Sequence, residues 1–423
     1  MSGMALAHGL RFLKSLLIAR YYGTSGELDA YILSLAPFSL ITGILIASLQ
    51  SAIIPRYLEL EKTFGQAKAF AVFRTFGICL LTGVAGLGML IFVGSPLLSE
   101  ILGSRFTDSQ RMLTTGLLRL SIALLLLTIC IESALCLFQS HRRFAMVSFS
   151  PLVNATLSIG YLLVFHEQGV TALLYGLIFG MAGQLGVVLW GGRQFIPPQY
   201  EPIVPNHPEV RRMFTAMVPL LLGASCGQVN LIIDQVMASR LPEGSLAALH
   251  YAAKLHQIFT QVFVVVVVQA VFPFLARQVA DGEEKAIKKT FWMIAGRMLL
   301  VLVPISVGIL FFGRPLVRLV FERGAFSAHS TATTTGAWVA YAVGLPIQAI
   351  RHLTVRLYNA LQENHILLYV SAASIGVNIL LNTLCMRIWG HIGIAVSTSG
   401  VYALSGAFLL YWLVRRRLWI RSE

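Results

Sequence analysis

Between residues 250 and 261, a histidine, a lysine and two glutamines recur at i, i+4, i+7 and i+11. That spacing puts His250, Lys254, Gln257 and Gln261 on one face of a helix. Two other stretches behave alike: His8, Arg11 and Ser15 share a face with Lys14 at its shoulder, and His352, Arg356 and Asn359 share another with Arg351 to one side. All three stripes run through otherwise apolar sequence. A charge at bilayer depth costs at least about 2.5–3.5 kcal/mol, so each such group needs a partner, water or a function. The chemistry open to these stripes is electrostatic, a wet cationic cleft that receives an anionic ligand. Snorkelling of Lys14, Arg351 and Arg356 to the interface is the plainer alternative.

Acidic residues are few in the same apolar stretches. Glu132 in "TICIESALC" and Asp234 in "NLIIDQVMA" are each a candidate counter-ion, protonated carboxyl or coupling site, with coupling preferred for Asp234. Ser374, Asn378 one turn later and Thr398 add hard oxygen ligands of the type a small hard cation prefers. In "ARYYGTSGELDAY", residues 19–31, the run from Gly23 to Gly26 makes a turn, and Thr24 or Ser25 can cap the helix that follows. Glu27 and Asp29 then lie in its first turn and complement the helix dipole; for Asp29 a cleft-lining role is an equal alternative.

The elements that position these residues follow from composition. With 57% hydrophobic and 12% charged residues and a mean hydropathy of +0.76, the chain is far more apolar than a soluble domain, which is about 25% charged. It reads as an all-α polytopic membrane protein. A spanning helix needs roughly 20 mostly apolar residues, and about twelve such stretches occur. They are 4–22, 29–54, 69–93, 113–138, 145–165, 170–191, 212–238, 247–275, 291–312, 332–360, 366–387 and 392–414. Their length and lack of alternation exclude barrel strands. The net charge of +14 does not point to nucleic acid, because the basic residues crowd into alternate loops. Arg56, Lys62 and Lys68, then Arg142 and Arg143, Arg193, Arg211 and Arg212, Arg277, Lys285, Lys288 and Lys289, and Arg415, Arg416, Arg417 and Arg421 fall on one side. The positive-inside rule then makes both termini cytoplasmic. Arg11 and Lys14 interrupt what would be a signal-peptide core, so the first stretch is read as a span. The five cysteines lie within apolar spans without metal-ligand spacing and are read as buried filler.

The chain is also written twice, with an offset of about 220 residues. "AIIP" ending at Pro55 matches "AVFP" ending at Pro273, Gly94-Ser95-Pro96-Leu97 matches Gly313-Arg314-Pro315-Leu316, and Val153-Asn154 matches Val377-Asn378. Six spans per copy give both halves the same topology, related by an axis along the membrane normal, with a cleft between them. The expected organisation is a six-helix lobe at 1–192, a cytoplasmic linker at 193–211 and a second six-helix lobe at 212–423. Five prolines in the linker favour an extended strap.

"IARYYGTSGELDAY", the following Pro37, "AIIP", "FERGAFSAHSTATTTGAWVAYAVGLP" and "HIGIAVSTSG" together resemble the MurJ (MviN) lipid II flippase family, within the multidrug/oligosaccharidyl-lipid/polysaccharide exporter superfamily. The resemblance covers nearly the whole chain. It implies two lobes forming a V-shaped central cavity that carries an undecaprenyl-pyrophosphate-linked glycan, lipid II or a related oligosaccharide, to the outer leaflet by alternating access. It places His8 and Lys14 where first-helix arginines are usual, Lys254 where an eighth-helix arginine is usual, and Asp29 on the family aspartate. Ile41 and Thr42 depart from a second-helix arginine pair, and two further C-terminal helices found in many members are missing after Arg417. It also implies sodium as coupling ion at Asp234, Ser374, Asn378 and Thr398, with no covalent cofactor.

The expected substrate-binding set is therefore His8, Arg11, Lys14, Asp29, His250, Lys254, Gln257, His352 and Arg356, and the protein is not expected to be an enzyme. Expected partners are the lipid-linked oligosaccharide and membrane lipids, with cell-wall or polysaccharide synthesis enzymes as further candidates, in a bacterial inner membrane. A drug/cation antiporter of the same superfamily and a diverged, non-transporting assembly protein are the alternatives. The first would need an acidic rather than a basic lining. A membrane glycosyltransferase lacks its hydrophilic loop, paired carboxylates and nucleotide-binding glycines.

Overall fold

The computed structural model describes residues 2–197 and 208–415. Residues 198–207 of the proline-rich strap, and Arg416, Arg417 and Arg421, lie outside the described residues, as does the side chain of Cys226. Among the described residues the elements are all helical, and each expected span falls on a helix. The order is α1 (Ser2–Tyr22), α2 (Gly26–Ser34) running into α3 (Ala36–Phe64), α4 (Gln66–Leu102), α5 (Asp108–Ser140), α6 (Phe144–Phe165) and α7 (Thr171–Gly192). There follow α8 (Pro208–Ala238), α9 (Ser245–Phe259), which passes through a π-helical turn (Thr260–Val265) into α10 (Val266–Ala280), α11 (Glu284–Phe321), α12 (Ala328–Ala360), α13 (Asn364–Trp389) and α14 (His391–Leu413).

Nine helical stretches among the described residues are long and apolar enough to cross a membrane. The helices outside that set include α1 and α12, two of those that carry polar stripes. On α4 and α11 large apolar side chains point outward, with Val93 73% and Phe311 75% exposed. Such surface is unfavourable in water and natural against acyl chains. The chain is a multi-pass membrane protein.

Two compact units, Met1–Ile232 and Ile233–Glu423, divide the chain within α8. In the first, Leu49, Ile53 and Tyr57 of α3, Phe76 of α4 and Leu135 and Phe138 of α5 form a core that also takes in Val210, Met213 and Met217 from the start of α8. The end of α3 is clamped to that start. Arg56 Nε donates to Glu209 Oε2 at 2.7 Å, its terminal nitrogen forms an ion pair with the same oxygen, and Arg212 pairs with Oε1 at 2.7 Å. In the second unit the core runs through Val264, Phe291, Leu302, Leu353, Leu357, Tyr358 and Leu409.

The duplication reappears at one helix end in each unit. Helices α5 and α12 both have 33 residues, and each ends on a non-glycine residue in the left-handed region, Arg142 (φ 56°) and Gln362 (φ 60°). The same closing bond follows in each copy, Arg143 N to Phe138 O at 2.8 Å and Glu363 N to Tyr358 O at 3.1 Å. Within the first unit, the turn at residues 23–26 is capped as the sequence suggests. Ser25 accepts from Leu28 N at 3.3 Å, and the Tyr22 hydroxyl anchors the turn to the carbonyls of His166 and Gly169 at 3.0 and 2.9 Å.

Candidate functional site

In the second unit Asp234, near the end of α8, gathers polar groups from α13 and α14. Its Oδ1 accepts from Asn378 Nδ2 at 3.0 Å and from Asn382 Nδ2 at 2.7 Å, and Thr398 of α14 lies beside the carboxylate with its hydroxyl donating to Ile394 O at 3.0 Å. The Ser397 hydroxyl donates to Asn378 Oδ1 at 3.4 Å. A helix places residues four apart on one face, which is why Asn378 and Asn382 reach the same oxygen. Both are buried, at 2% and 0% exposure. Asn382 Oδ1 is buried with no donor opposite it. Of the four expected cation ligands, the structure brings together Asp234, Asn378 and Thr398. Ser374, a turn earlier on α13, donates its hydroxyl to Ser371 O at 2.6 Å. Asn382 was not in the expected set; its spacing of four from Asn378 was the available signal.

The α9 stripe keeps its helical register. His250 and Lys254 are half-buried and within electrostatic reach of one another, and Gln257 is exposed. On α12 His352 lies near both Arg351 and Arg356. Arg356 stands over the Phe272 ring of α10 at 5.9 Å, an arrangement that steadies a guanidinium in apolar surroundings. Arg351 turns away into α14, where its Nε donates to Ser405 Oγ at 2.8 Å and its guanidinium lies 5.3 Å from the Tyr402 ring. Between the two stripes a polar link that the sequence reading missed joins α9 to α12: His256 Nε2 meets Gln348 Oε1 at 2.9 Å and the Thr260 hydroxyl donates to the same oxygen at 3.3 Å. Thr260 opens the π-helical turn, a backbone feature found frequently at functional sites.

In the first unit His8 and Arg11 on α1 are exposed and Lys14 is half-buried, while Ser15 bonds back to Arg11 O at 3.1 Å. Asp29 is buried, 4% exposed, in the first turn of α2. Thr42, at the place of a family arginine, is also buried and its hydroxyl donates to Phe38 O at 2.8 Å. Glu132 of α5 accepts from Gln50 of α3 at 3.3 Å. Among the described residues no three His, Cys, Asp or Glu side chains group as metal ligands. What each unit can do is electrostatic: the second can hold a small cation at Asp234 and meet an anion with the ammonium and guanidinium groups of α9 and α12, and the first can meet an anion with those of α1.

The sequence profile of the family described as Lipid II flippase MurJ matches residues 18–423. The Lipid II flippase MurJ of Burkholderia cenocepacia is 26% identical over 420 residues, covering 95% of this chain and 80% of its own length. A probable lipid II flippase MurJ of Rickettsia prowazekii is 26% identical over 357 residues, covering 83% and 70%. A solved lipid II flippase MurJ in an inward closed conformation superposes with a TM-score of 0.84 at 21% identity over 97% of this chain and 86% of that one. An inward-facing multidrug resistance MATE family transporter of the MOP superfamily reaches 0.78 at 11% identity, covering 97% and 94%. At these identities the structures establish the fold.

Proposed function

Since the chain belongs to the lipid II flippase MurJ family, we propose that it translocates lipid II, a polyprenyl-pyrophosphate-linked glycan, across a bacterial inner membrane for peptidoglycan synthesis. The family is one of transporters, not of enzymes. The observation that carries this reading is the family match over residues 18–423, nearly the full chain. The cationic stripes give it chemistry. In the second unit Lys254 with His250 on α9 and Arg356 with His352 on α12 are positive groups of the kind a diphosphate takes, with Gln257 of α9 as a neutral donor; in the first unit Lys14, His8 and Arg11 on α1 have the same chemistry. Lysine serves as a point charge where arginine would form a bidentate fork, so charge rather than fixed geometry governs recognition here. The basic stripes also disfavour a substrate that is itself a cation.

For coupling, the residues around Asp234 fit a small hard cation such as sodium. The fit rests on a carboxylate, the Thr398 hydroxyl and the orphaned Asn382 carbonyl oxygen, all hard oxygen donors. When bound, sodium would supply positive charge to Asp234. The chain's own part is to orient that carboxylate through two amide donors.

The decisive experiment is reconstitution in vesicles carrying lipid II. Lys254→Ala is expected to abolish flipping while the protein still inserts and folds. Unimpaired flipping by that variant would remove the cationic mechanism. In the same vesicles, lipid-linked sugars other than lipid II are expected to move more slowly.

A further inference from the structure

The first unit contains a pocket of about 250 Å3 whose polar wall belongs to neither the diphosphate nor the cation reading, except for Arg11. Five helices contribute to it: Arg11 from α1, Gln50 from α3, Glu132 from α5, Asn154 from α6 and Gln184 from α7. Its polar groups are fixed by one another. Gln50 Nε2 donates to Glu132 Oε2 at 3.3 Å, Asn154 Nδ2 donates to Gln184 Oε1 at 3.3 Å, and Gln184 Nε2 donates to Ser150 Oγ at 3.3 Å. Gln184 is 6% exposed, so this wall is built rather than a chance meeting of surface side chains. Ile131, Leu135, Pro151 and Met181 form an apolar wall.

Charge and size narrow the ligand. A phosphate would meet the Glu132 carboxylate, and a metal cation would meet the Arg11 guanidinium; with one charge of each sign, the pocket favours a neutral group rich in donors and acceptors. At about 30 Å3 per water, the volume equals roughly eight waters. That is room for one sugar ring, not for a disaccharide with its lipid. Carboxylate, guanidinium and carboxamides match hydroxyl and acetamido groups, while the apolar wall suits the C–H face of a ring. We infer that this pocket binds one neutral N-acetylated pyranose. The choice of a sugar rests on the lipid-linked glycan reading above; the pocket's neutrality and size do not.

The test uses the full chain in phospholipid nanodiscs with free N-acetylglucosamine, read by saturation-transfer NMR. Transfer to the acetamido methyl and ring protons is expected. Glu132→Gln should weaken it at least tenfold, and Met181→Trp, which fills the pocket from its apolar side, should do the same; thermal unfolding checks that both variants fold. Absence of transfer in the parent protein, or equal transfer in Met181→Trp, would overturn the assignment. So would displacement of the sugar by inorganic phosphate or by sodium. Lipid II flipping is scored separately on the parent protein. Flipping without sugar transfer overturns the pocket alone, whereas sugar transfer lost on filling the pocket, in a protein that flips no lipid II, upholds the pocket and overturns the transport reading.

Discussion

Asn382 commits its amide nitrogen to Asp234 at 2.7 Å and turns its carbonyl oxygen into the interior of the second unit, where no donor meets it. An unsatisfied buried oxygen costs about 1–3 kcal/mol, so a group that satisfies it gains that much in binding. Asn382→Ala should therefore weaken sodium binding roughly tenfold, about 1.4 kcal/mol. Asp234→Ala should remove sodium dependence altogether. Both are read as the rise in melting temperature that sodium confers on the purified protein, and a rise unchanged in Asp234→Ala would eliminate the site. This also shows what a single sequence reveals about a site. Asp234, Asn378 and Thr398 stood out because polar groups in apolar runs need a reason to be there. Asn382 was passed over although it follows Asn378 by four residues on the same helical face; that both reach Asp234, 144 and 148 residues away, is a product of packing alone. Ser374 has the reverse problem, because a serine hydroxyl in any span can bond its own helix, as this one does at Ser371.

Helix C-termini and helix contacts set the next scale. Gln362 closes α12 at φ 60°, a conformation that costs a side chain roughly 1 kcal/mol or more relative to glycine. Gln362→Gly should raise thermal stability in detergent by about 0.5–1 kcal/mol, and a lower melting point would show that the side chain matters more than the backbone. At the start of α8, ahead of the expected span, burial opposes the charge on Glu209, but the hydrogen bond and charge of Arg56, with Arg212, outweigh it and hold the carboxyl below its usual 4.5. A depressed native pKa means that stability is fully present above the unfolded value and is lost as pH falls through the native one. The clamp should accordingly fail only below pH 4.5, and Arg56→Ala should reduce stability at neutral pH by about 1–3 kcal/mol while flattening the acid limb of the melting curve. Most spans were legible because length and apolarity mark them, and the repeat because proline, glycine and asparagine landmarks recur in order. The π-helical turn was not, since Thr260–Val265 has the composition of any buried helix. Nor was the side on which α8 begins, because Val210, Met213 and Met217 would suit either core and only packing assigns them to the first.

Orientation belongs to the whole molecule, since a helix is apolar whichever way it crosses and only the loops carry direction. Consecutive spanning helices alternate, so the loops after α3, α5 and α10 share one side, and these hold Lys62, Lys68, Arg142, Arg143, Lys285, Lys288 and Lys289 near their ends. The loops after α4, α7's predecessor α6, and α11 hold fewer, among them Arg105 and Arg323. Acidic residues contribute little to this bias, so Glu61, Glu283 and Glu284 do not cancel it. The first set should therefore be cytoplasmic, and the twelve spans expected from the sequence would put both termini on that side. In a cysteine-free background, a membrane-impermeant maleimide applied to intact cells should label Ser104→Cys, Gln168→Cys and Ala325→Cys. Lys62→Cys, Arg143→Cys and Glu283→Cys should react only after permeabilisation. All six positions are exposed in the structure, so failure to react reports the membrane and not burial. The opposite pattern would invert the molecule, placing the α5–α6 turn and the Arg56–Glu209 clamp outside the cell.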